Sequence, residues 1–208
     1  PTMTATQHQH IWHQTGTLAR SIHDVRGDAF GLPGDREAGM RSPRWSDVLL
    51  HDTEGFITDA GRFGIDRAPV ERLQATIARH ALSLDAVTIP GLIHSDLDPR
   101  HIFIEPDGKQ GYRISGLIDL EFGRFADPLS ESLIVMFGVE PPAPEFEAAF
   151  WQGYGPFPVA PGGDVRRLIY QGIALGWMLT DLARLGRRSD LARLVSALST
   201  HLHDLETM

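Results

Sequence analysis

Two short acidic segments carry the residues best suited to chemistry in this chain of 208 residues. The first is His94-Ser95-Asp96-Leu97-Asp98, with His101 three residues further on, and the second is Ile118-Asp119-Leu120-Glu121. Carboxylate oxygens are the ligands that Mg²⁺ prefers, and a carboxylate held nearby accepts the proton of an attacking hydroxyl. A cation and a base are together what phosphoryl transfer requires of a protein.

A β-hairpin is the element expected to position these segments. Residues 102–104 and 112–120 are apolar runs, and Pro106-Asp107-Gly108 between them is typical of a turn. The two ends of a hairpin lie side by side. We therefore expect Asp96 and His101 to lie near Asp119 and Glu121, although some twenty residues separate them in the chain.

Helical periodicity dominates the rest of the sequence. It predicts helices over residues 8–24, 46–60, 68–84, 130–137, 144–152, 164–185 and 189–205. Ser46, Asp164 and Ser189 are residue types that favour helix N-cap positions. Because strands and helices do not alternate, we predict a single, mostly helical α+β domain over residues 1–208 with one small hairpin and an N-terminal tail over residues 1–7.

The composition excludes several classes of protein. With 19 basic and 27 acidic residues the net charge is −8, which disfavours nucleic-acid binding and favours a cationic partner. The absence of cysteine excludes thiolate chemistry and disulfide scaffolds. The longest apolar stretch, residues 172–179, is far shorter than the ~20 residues that span a bilayer. No signal-peptide pattern is present, so we expect a cytoplasmic protein that contacts no membrane.

The two acidic segments resemble the catalytic and metal loops of aminoglycoside phosphotransferases and the related choline kinases. Those families share the patterns H-G-D-x-x-x-x-N, I-D-W/F-E and G-D-P. The corresponding residues here are His94-Ser95-Asp96 with His101, Ile118-Asp119, and Ala126-Asp127-Pro128. Residues 18–23 are similar to a helix that ends in L-H in the family, and residues 150–154 to an F-x-x-G-Y helix. The resemblance implies the helical C-terminal lobe of a kinase-like fold.

The resemblance also implies roles for individual residues. Asp96 matches the catalytic base, and His94 matches the histidine that braces the catalytic loop. Asp119 matches the metal-binding aspartate, with His101 as the second metal ligand. Asp98 and Glu121 are expected to contact the substrate, and Asp127 to be structural. ATP and Mg²⁺ or Mn²⁺ are the implied cofactors.

Two departures from the family pattern affect the expected activity. His101 stands where the family has asparagine, and its imidazole nitrogen suits Mn²⁺ or Zn²⁺ better than Mg²⁺. The single lysine, Lys109, follows the catalytic loop, and no G-x-G-x-x-G motif is present. We therefore expect the nucleotide lobe to be absent, and a partner chain or a second copy to replace it.

Three functions remain open from the sequence. The first is phosphoryl transfer from ATP to a hydroxyl of a small molecule or peptide, with a cationic acceptor favoured by the acidic charge. The second is a lobe-lacking relative that serves as a binding or partner subunit. The third is a different enzyme that uses the same aspartates and histidines for acid–base chemistry without phosphoryl transfer.

Overall fold

A computed structural model describes residues 3–33, 41–108, 111–157 and 160–207. The α-helices of these ranges are α1 (Ala5–His23), α2 (Trp45–Phe63), α3 (Ala68–Arg79), α4 (Ala81–Leu84), α5 (Ser132–Met136), α6 (Pro144–Tyr154), α7 (Gly163–Arg184) and α8 (Leu191–Glu206). The strands are β1 (Phe30–Gly31), β2 (Arg41–Ser42), β3 (Gly91–Ile93), β4 (Ile102–Pro106), β5 (Tyr112–Leu117) and β6 (Arg124–Ala126). The fold is mostly helical with short antiparallel strands, as predicted. No helix in these ranges is long and apolar enough to cross a bilayer.

The chain divides into two compact units. One consists of Pro1–Asp28, Leu32–Gly34 and Ile89–Val159, and the other of Ala29–Gly31, Asp35–Thr88 and Ala160–Met208. The two acidic segments belong to the first unit. The prediction of a single domain stays a prediction.

The first unit contains two antiparallel strand pairs and helices α1, α5 and α6, and strands β3 and β5 contact α1. Strand β3 pairs with β6 so that Leu92 faces Phe125, and β4 pairs with β5 so that Ile102 faces Leu117. Helices α1 and α6 pack closely against each other, and each contributes one glycine to the contact. A Cβ atom on Gly16 would overlap the Phe150 carbonyl oxygen, and one on Gly153 would overlap the carbonyl oxygen of His13. The two backbones are therefore in direct contact.

The second unit consists of α2, α3, α4, α7 and α8 with the β1–β2 ribbon. Its fully buried apolar side chains come from all of these helices and include Leu73, Leu84, Leu179 and Leu198. The Trp45 indole N–H donates to the Tyr170 hydroxyl at 2.9 Å, which satisfies the one polar atom of this buried indole.

Several predicted helix ends are wrong, and the structure gives physical reasons. Helix α1 begins at Ala5, inside the predicted tail, because Thr4 and Gln7 form a capping box. Ser46 lies within α2, where its hydroxyl donates to Asp85 at 2.9 Å instead of capping the helix. Asp164 lies in the first turn of α7, after the N-cap residue Gly162. Ser189 precedes Asp190, which is the N-cap residue of α8.

The helix predicted over residues 68–84 is divided, since His80 separates α3 from α4 with a non-helical backbone.

The hairpin prediction is confirmed, with a shorter second strand than expected. Strand β5 ends at Leu117 because Asp119 turns the chain into a single 3₁₀ turn, Leu120–Phe122. At the other end, the Asp107 carboxylate accepts a hydrogen bond from Gly111 N at 3.1 Å. Lys109, predicted in this turn, lies outside the described residues. The β1–β2 and β3–β6 pairs were not predicted, because strands of two or three residues are too short to show a period.

Candidate active site

The loop after β3 and the end of β5 meet at one end of the hairpin. The loop turns at Asp98, whose carboxylate accepts a hydrogen bond from Arg100 N at 2.8 Å, and it continues through a 3₁₀ turn into β4. The backbone N–H of Ile118 donates to the His101 carbonyl at 3.1 Å, so Asp119 emerges beside that turn. The hairpin thus brings together the two segments that the sequence analysis placed there.

The imidazole of His101 lies between the two aspartates. Its Nδ1 is 2.9 Å from the backbone oxygen of Asp96 and 3.7 Å from Asp96 Oδ2. Its Nε2 is 3.5 Å from Asp119 Oδ2. A carbonyl oxygen only accepts hydrogen bonds, so Nδ1 carries a hydrogen. The ring is mostly covered, whereas about half of each carboxylate side chain is exposed. Both carboxylates are therefore accessible to a ligand.

We expect His101 to titrate above its ordinary pKa of 6.5. The hydrogen bond to the Asp96 backbone is the main cause of the raised pKa, and the charges of Asp96 and Asp119 add to it. Because the folded-state pKa is the higher one, this stabilisation is complete below 6.5 and is lost as the pH rises through the folded-state pKa. An NMR titration of the His101 ring measures this pKa directly. Asp119→Asn should lower the pKa, and Glu54→Gln on α2 should leave it unchanged. Titration at or below 6.5 in the unsubstituted protein would contradict the assignment.

His94 is a completely buried residue beneath the loop. Its Nε2 donates to the carbonyl of Ile118 at 2.9 Å, which ties the loop to the end of β5. Its ring stacks on that of His101, with centroids 6.3 Å apart. Within the described ranges its Nδ1 atom has no hydrogen-bond partner. These contacts give His94 the means to hold the loop against the Asp119 segment, and they do not bring it to the exposed carboxylates.

A buried carboxylate that the sequence analysis missed fixes the same loop. Glu131, with no exposed surface, accepts hydrogen bonds from the backbone N–H groups of His94 (2.7 Å), Ser95 (3.1 Å) and Ser132 (2.9 Å). Burial alone would raise its pKa, but the hydrogen bonds from His23 and from the backbone outweigh burial and lower the pKa overall. Its place between Leu129 and the apolar residues 133–135 was the available signal, because a buried charge needs partners.

Two more buried residues extend this network to α1 and α6. His23 Nε2 lies 3.3 Å from Glu131 Oε2, and His23 Nδ1 lies 2.8 Å from the Tyr154 hydroxyl. Burial raises the pKa of Tyr154, so its hydroxyl stays protonated. His23 and Tyr154 are the last residues of the L-H and F-x-x-G-Y segments. His23 of the first segment therefore contacts Glu131 directly, and Tyr154 of the second is joined to Glu131 through His23.

Ser95 and Asp119 are the described residues other than glycine with a positive φ, at 68° and 69°. Such a backbone costs on the order of 1–3 kcal/mol and persists only where the surroundings impose it. Glu131 holds the amide of Ser95, and His94 holds the carbonyl that precedes Asp119. The strain lies on both loops that carry the aspartates.

Asp98 and Glu121, the two predicted substrate contacts, occupy different environments. The Asp98 carboxylate pairs with the Arg100 guanidinium at 2.8 Å, and this hydrogen bond lowers the pKa of Asp98. Glu121 is exposed in the 3₁₀ turn after Asp119. Their role towards a substrate stays a prediction.

The side-chain groups available here to bind a metal ion are the Nε2 nitrogen of His101 and the carboxylate of Asp119. Across the described part of the chain, no group of three or more ligating side chains is arranged to hold an ion. In phosphoryl transfer, however, one or two protein ligands are sufficient, because the substrate phosphates supply the others. His101 Nε2 and Asp119 Oδ2 therefore fit a divalent ion that accepts both nitrogen and oxygen ligands.

These features define a class of protein: a mostly helical chain in which a histidine–serine–aspartate loop faces an aspartate at the end of a hairpin, as in phosphotransferases related to kinases. The chain belongs to the phosphotransferase enzyme family (APH), whose model matches residues 1–169. No sequence among curated proteins matches it.

Solved structures of aminoglycoside phosphotransferases share this fold. A thermostable mutant of APH(4)-Ia in its apo form superposes with a TM-score of 0.67 at 18% identity, over 97% of this chain and 67% of that one. The gentamicin–APH(2")-IIa complex gives a TM-score of 0.57 at 13% identity, over 96% of this chain and 63% of that one. The chain thus spans about two thirds of the length of these relatives.

Proposed function

We propose that this chain transfers the γ-phosphoryl group of ATP to a hydroxyl of a small molecule or peptide. The observation that supports this most is the placement of Asp96 and Asp119 on opposite sides of His101, with both carboxylates accessible. Membership of the phosphotransferase enzyme family supports the same reaction.

In this reaction Asp96 is the base. Its carboxylate accepts the proton of the acceptor hydroxyl while the hydroxyl oxygen bonds to the γ-phosphorus and the bond to ADP breaks. Asp119 and His101 would hold the Mg²⁺ or Mn²⁺ ion, which neutralises phosphate charge when bound. Glu131 fixes the position of the first loop by accepting a hydrogen bond from the backbone amide of His94. His94 fixes the second by donating a hydrogen bond to the carbonyl of Ile118.

A cationic acceptor fits the charge around the loops. Asp96, Asp119 and Glu121 are exposed or partly exposed, and the whole chain carries a net charge of −8. Carboxylates at a binding surface favour amine-bearing molecules over anionic ones. One solved relative is a complex with gentamicin, which suggests aminoglycosides as the first acceptors to assay.

The assay compares wild-type chain with Asp96→Asn. We expect ATP-dependent phosphorylation of an acceptor to fall by about 10²–10⁴-fold in the variant, the usual contribution of a positioned base. Glu54→Gln, on an exposed part of α2, is the matched control and should retain wild-type turnover. Equal turnover in Asp96→Asn and wild type would refute the assigned role of Asp96.

A second candidate function is a binding or partner subunit. Several apolar side chains near Asp119 are well exposed, namely Phe103, Ile104, Ile118, Leu120 and Phe122. Such an apolar surface suits a partner, which is either another chain or a second copy of this one.

Melting experiments separate the two candidates. A ligand at a hundred times its Kd raises the free energy of unfolding by about 2.7 kcal/mol. A shift of the melting temperature with Mg²⁺ or Mn²⁺ and ATP supports the phosphotransferase. A shift with an amine-rich molecule but with no nucleotide supports the binding subunit.

A further inference from the structure

The side chain of Tyr154 on α6 ends in a buried hydroxyl that has no part in the reaction proposed above. The residue is 2% exposed, and its hydroxyl oxygen lies 2.8 Å from His23 Nδ1. Burial raises the pKa of this phenol, so the hydroxyl carries its hydrogen. A buried O–H group needs a hydrogen-bond partner, and His23 supplies it.

The hydrogen bonds around His23 have a defined direction. Glu131 has a lowered pKa, and its ionised carboxylate only accepts hydrogen bonds. His23 Nε2, which lies 3.3 Å from Glu131 Oε2, therefore carries a hydrogen. In a neutral ring of this tautomer Nδ1 is an acceptor, and the Tyr154 hydroxyl is its donor. The tyrosine thus favours the tautomer that donates to Glu131.

Glu131 in turn contacts the backbone immediately before Asp96. Its Oε2 also accepts from His94 N at 2.7 Å, and its Oε1 accepts from Ser95 N at 3.1 Å. The left-handed backbone of Ser95, with a φ of 68°, persists only where such contacts impose it. If the carboxylate rotated away from Ser95, the backbone that carries Asp96 would lose this support.

We propose that Tyr154 is a positioning residue for Asp96, which it reaches through His23 and Glu131. Three hydrogen bonds connect the tyrosine to the loop: the hydroxyl to His23, His23 to Glu131, and the Ser95 amide to Glu131. Asp96 is a base only within the proposed function. The effect of Tyr154 on turnover therefore rests on that function, whereas its effect on the loop does not.

Tyr154→Phe tests the role of the hydroxyl, because the variant keeps the ring that stacks on Phe150 and Phe157. Amide hydrogen exchange, followed by NMR on the whole chain, compares Ser95 with Ile114, whose amide donates to Gln14. We expect the ratio of the Ser95 rate to the Ile114 rate to rise by about three- to tenfold in the variant.

Turnover provides the second measurement. In the phosphorylation of gentamicin by ATP, kcat of Tyr154→Phe should fall by about tenfold, because a slightly misplaced base costs rate. The KM for ATP should stay within about twofold of wild type, since the tyrosine does not contact the exposed carboxylates. A loss of folded protein alone would not change the Ser95 to Ile114 ratio.

Tyr170→Phe is the matched control, because it also removes a buried hydroxyl, which accepts a hydrogen bond from Trp45 in the second unit. This variant should keep the wild-type exchange ratio and kcat. In a His23→Leu background, Tyr154→Phe should have no additional effect on the ratio, since the tyrosine acts through His23.

Four results would each overturn the proposal: an unchanged exchange ratio in Tyr154→Phe, an equal change in Tyr170→Phe, an additional effect of Tyr154→Phe without His23, or a wild-type kcat in Tyr154→Phe. The exchange measurement uses neither ATP nor gentamicin. It therefore decides on the role of Tyr154 even if the wild-type chain phosphorylates no acceptor, a result that would count against the proposed function alone.

Discussion

Replacing Glu131 with alanine is expected to destabilise the protein by about 3–5 kcal/mol, because several buried donors lose their partner at a cost of about 1–3 kcal/mol each. The substitution leaves the N–H groups of His94 and Ser95 and the ring of His23 without their shared acceptor. Unpaired buried donors cost the free energy of their lost hydration. The left-handed backbone at Ser95 loses its support at the same time.

Chemical denaturation monitored by circular dichroism measures this loss. Glu54→Ala is a suitable control, because Glu54 is an exposed glutamate on α2 and its removal should change the free energy of unfolding by less than about 0.5 kcal/mol. A loss as small as that of the control would show that the carboxylate is not needed to hold the loop.

The pH dependence of stability offers a further check on Glu131. Its pKa in the folded state lies below the ordinary value of 4.5, so its stabilising contribution is complete above that value. The contribution is lost as the pH falls through the folded-state pKa. In Glu131→Gln this acid-dependent loss should be absent, which unfolding curves at several acidic pH values would reveal.

The second large effect is expected from Gly153→Ala. The added methyl group would overlap the carbonyl oxygen of His13, a backbone atom that cannot rotate away. Helices α1 and α6 would have to separate, and we expect a destabilisation at or above the upper end of the about 1–3 kcal/mol usual for overpacking. Gly16→Ala, which would clash with the Phe150 carbonyl, should have a similar effect.

The same substitution at Gly55 provides the control. Gly55 lies within α2, and a Cβ atom added there would meet no other atom within 4 Å, so alanine should stabilise the helix by about 0.5–1 kcal/mol. Thermal or chemical unfolding of the three variants measures the contrast. Equal effects at Gly55 and Gly153 would contradict the close backbone packing.

The convergence of the two acidic segments was predictable because it depends on local signals. Apolar runs on both sides of Pro106-Asp107-Gly108 specify a hairpin, and a hairpin necessarily brings His101 and Asp119 near each other. The end of β5 was misplaced because hydrophobicity continues past Leu117, whereas the backbone at Asp119 turns. The left-handed backbone conformation of Asp119 cannot be recognised from the pattern of apolar residues in the sequence.

The support beneath the loop could not be predicted in the same way. His23 is separated in the chain from Glu131 by 108 residues and from Tyr154 by 131, and no periodicity connects them. The family resemblance pointed to the segments of His23 and Tyr154 without showing that they meet. The β3–β6 pairing is likewise long-range, and its three-residue strands carry too few side chains to reveal a face.

The way Glu131 holds the loop bears on how this protein can evolve. It binds main-chain amides, and every amino acid except proline offers the same N–H group. Side chains on the loop can therefore be exchanged while its path is retained, as the serine at 95 and the histidine at 101 illustrate against the glycine and asparagine of the pattern they resemble. Single substitutions on this loop can therefore change the chemistry of its side chains while the backbone conformation is retained.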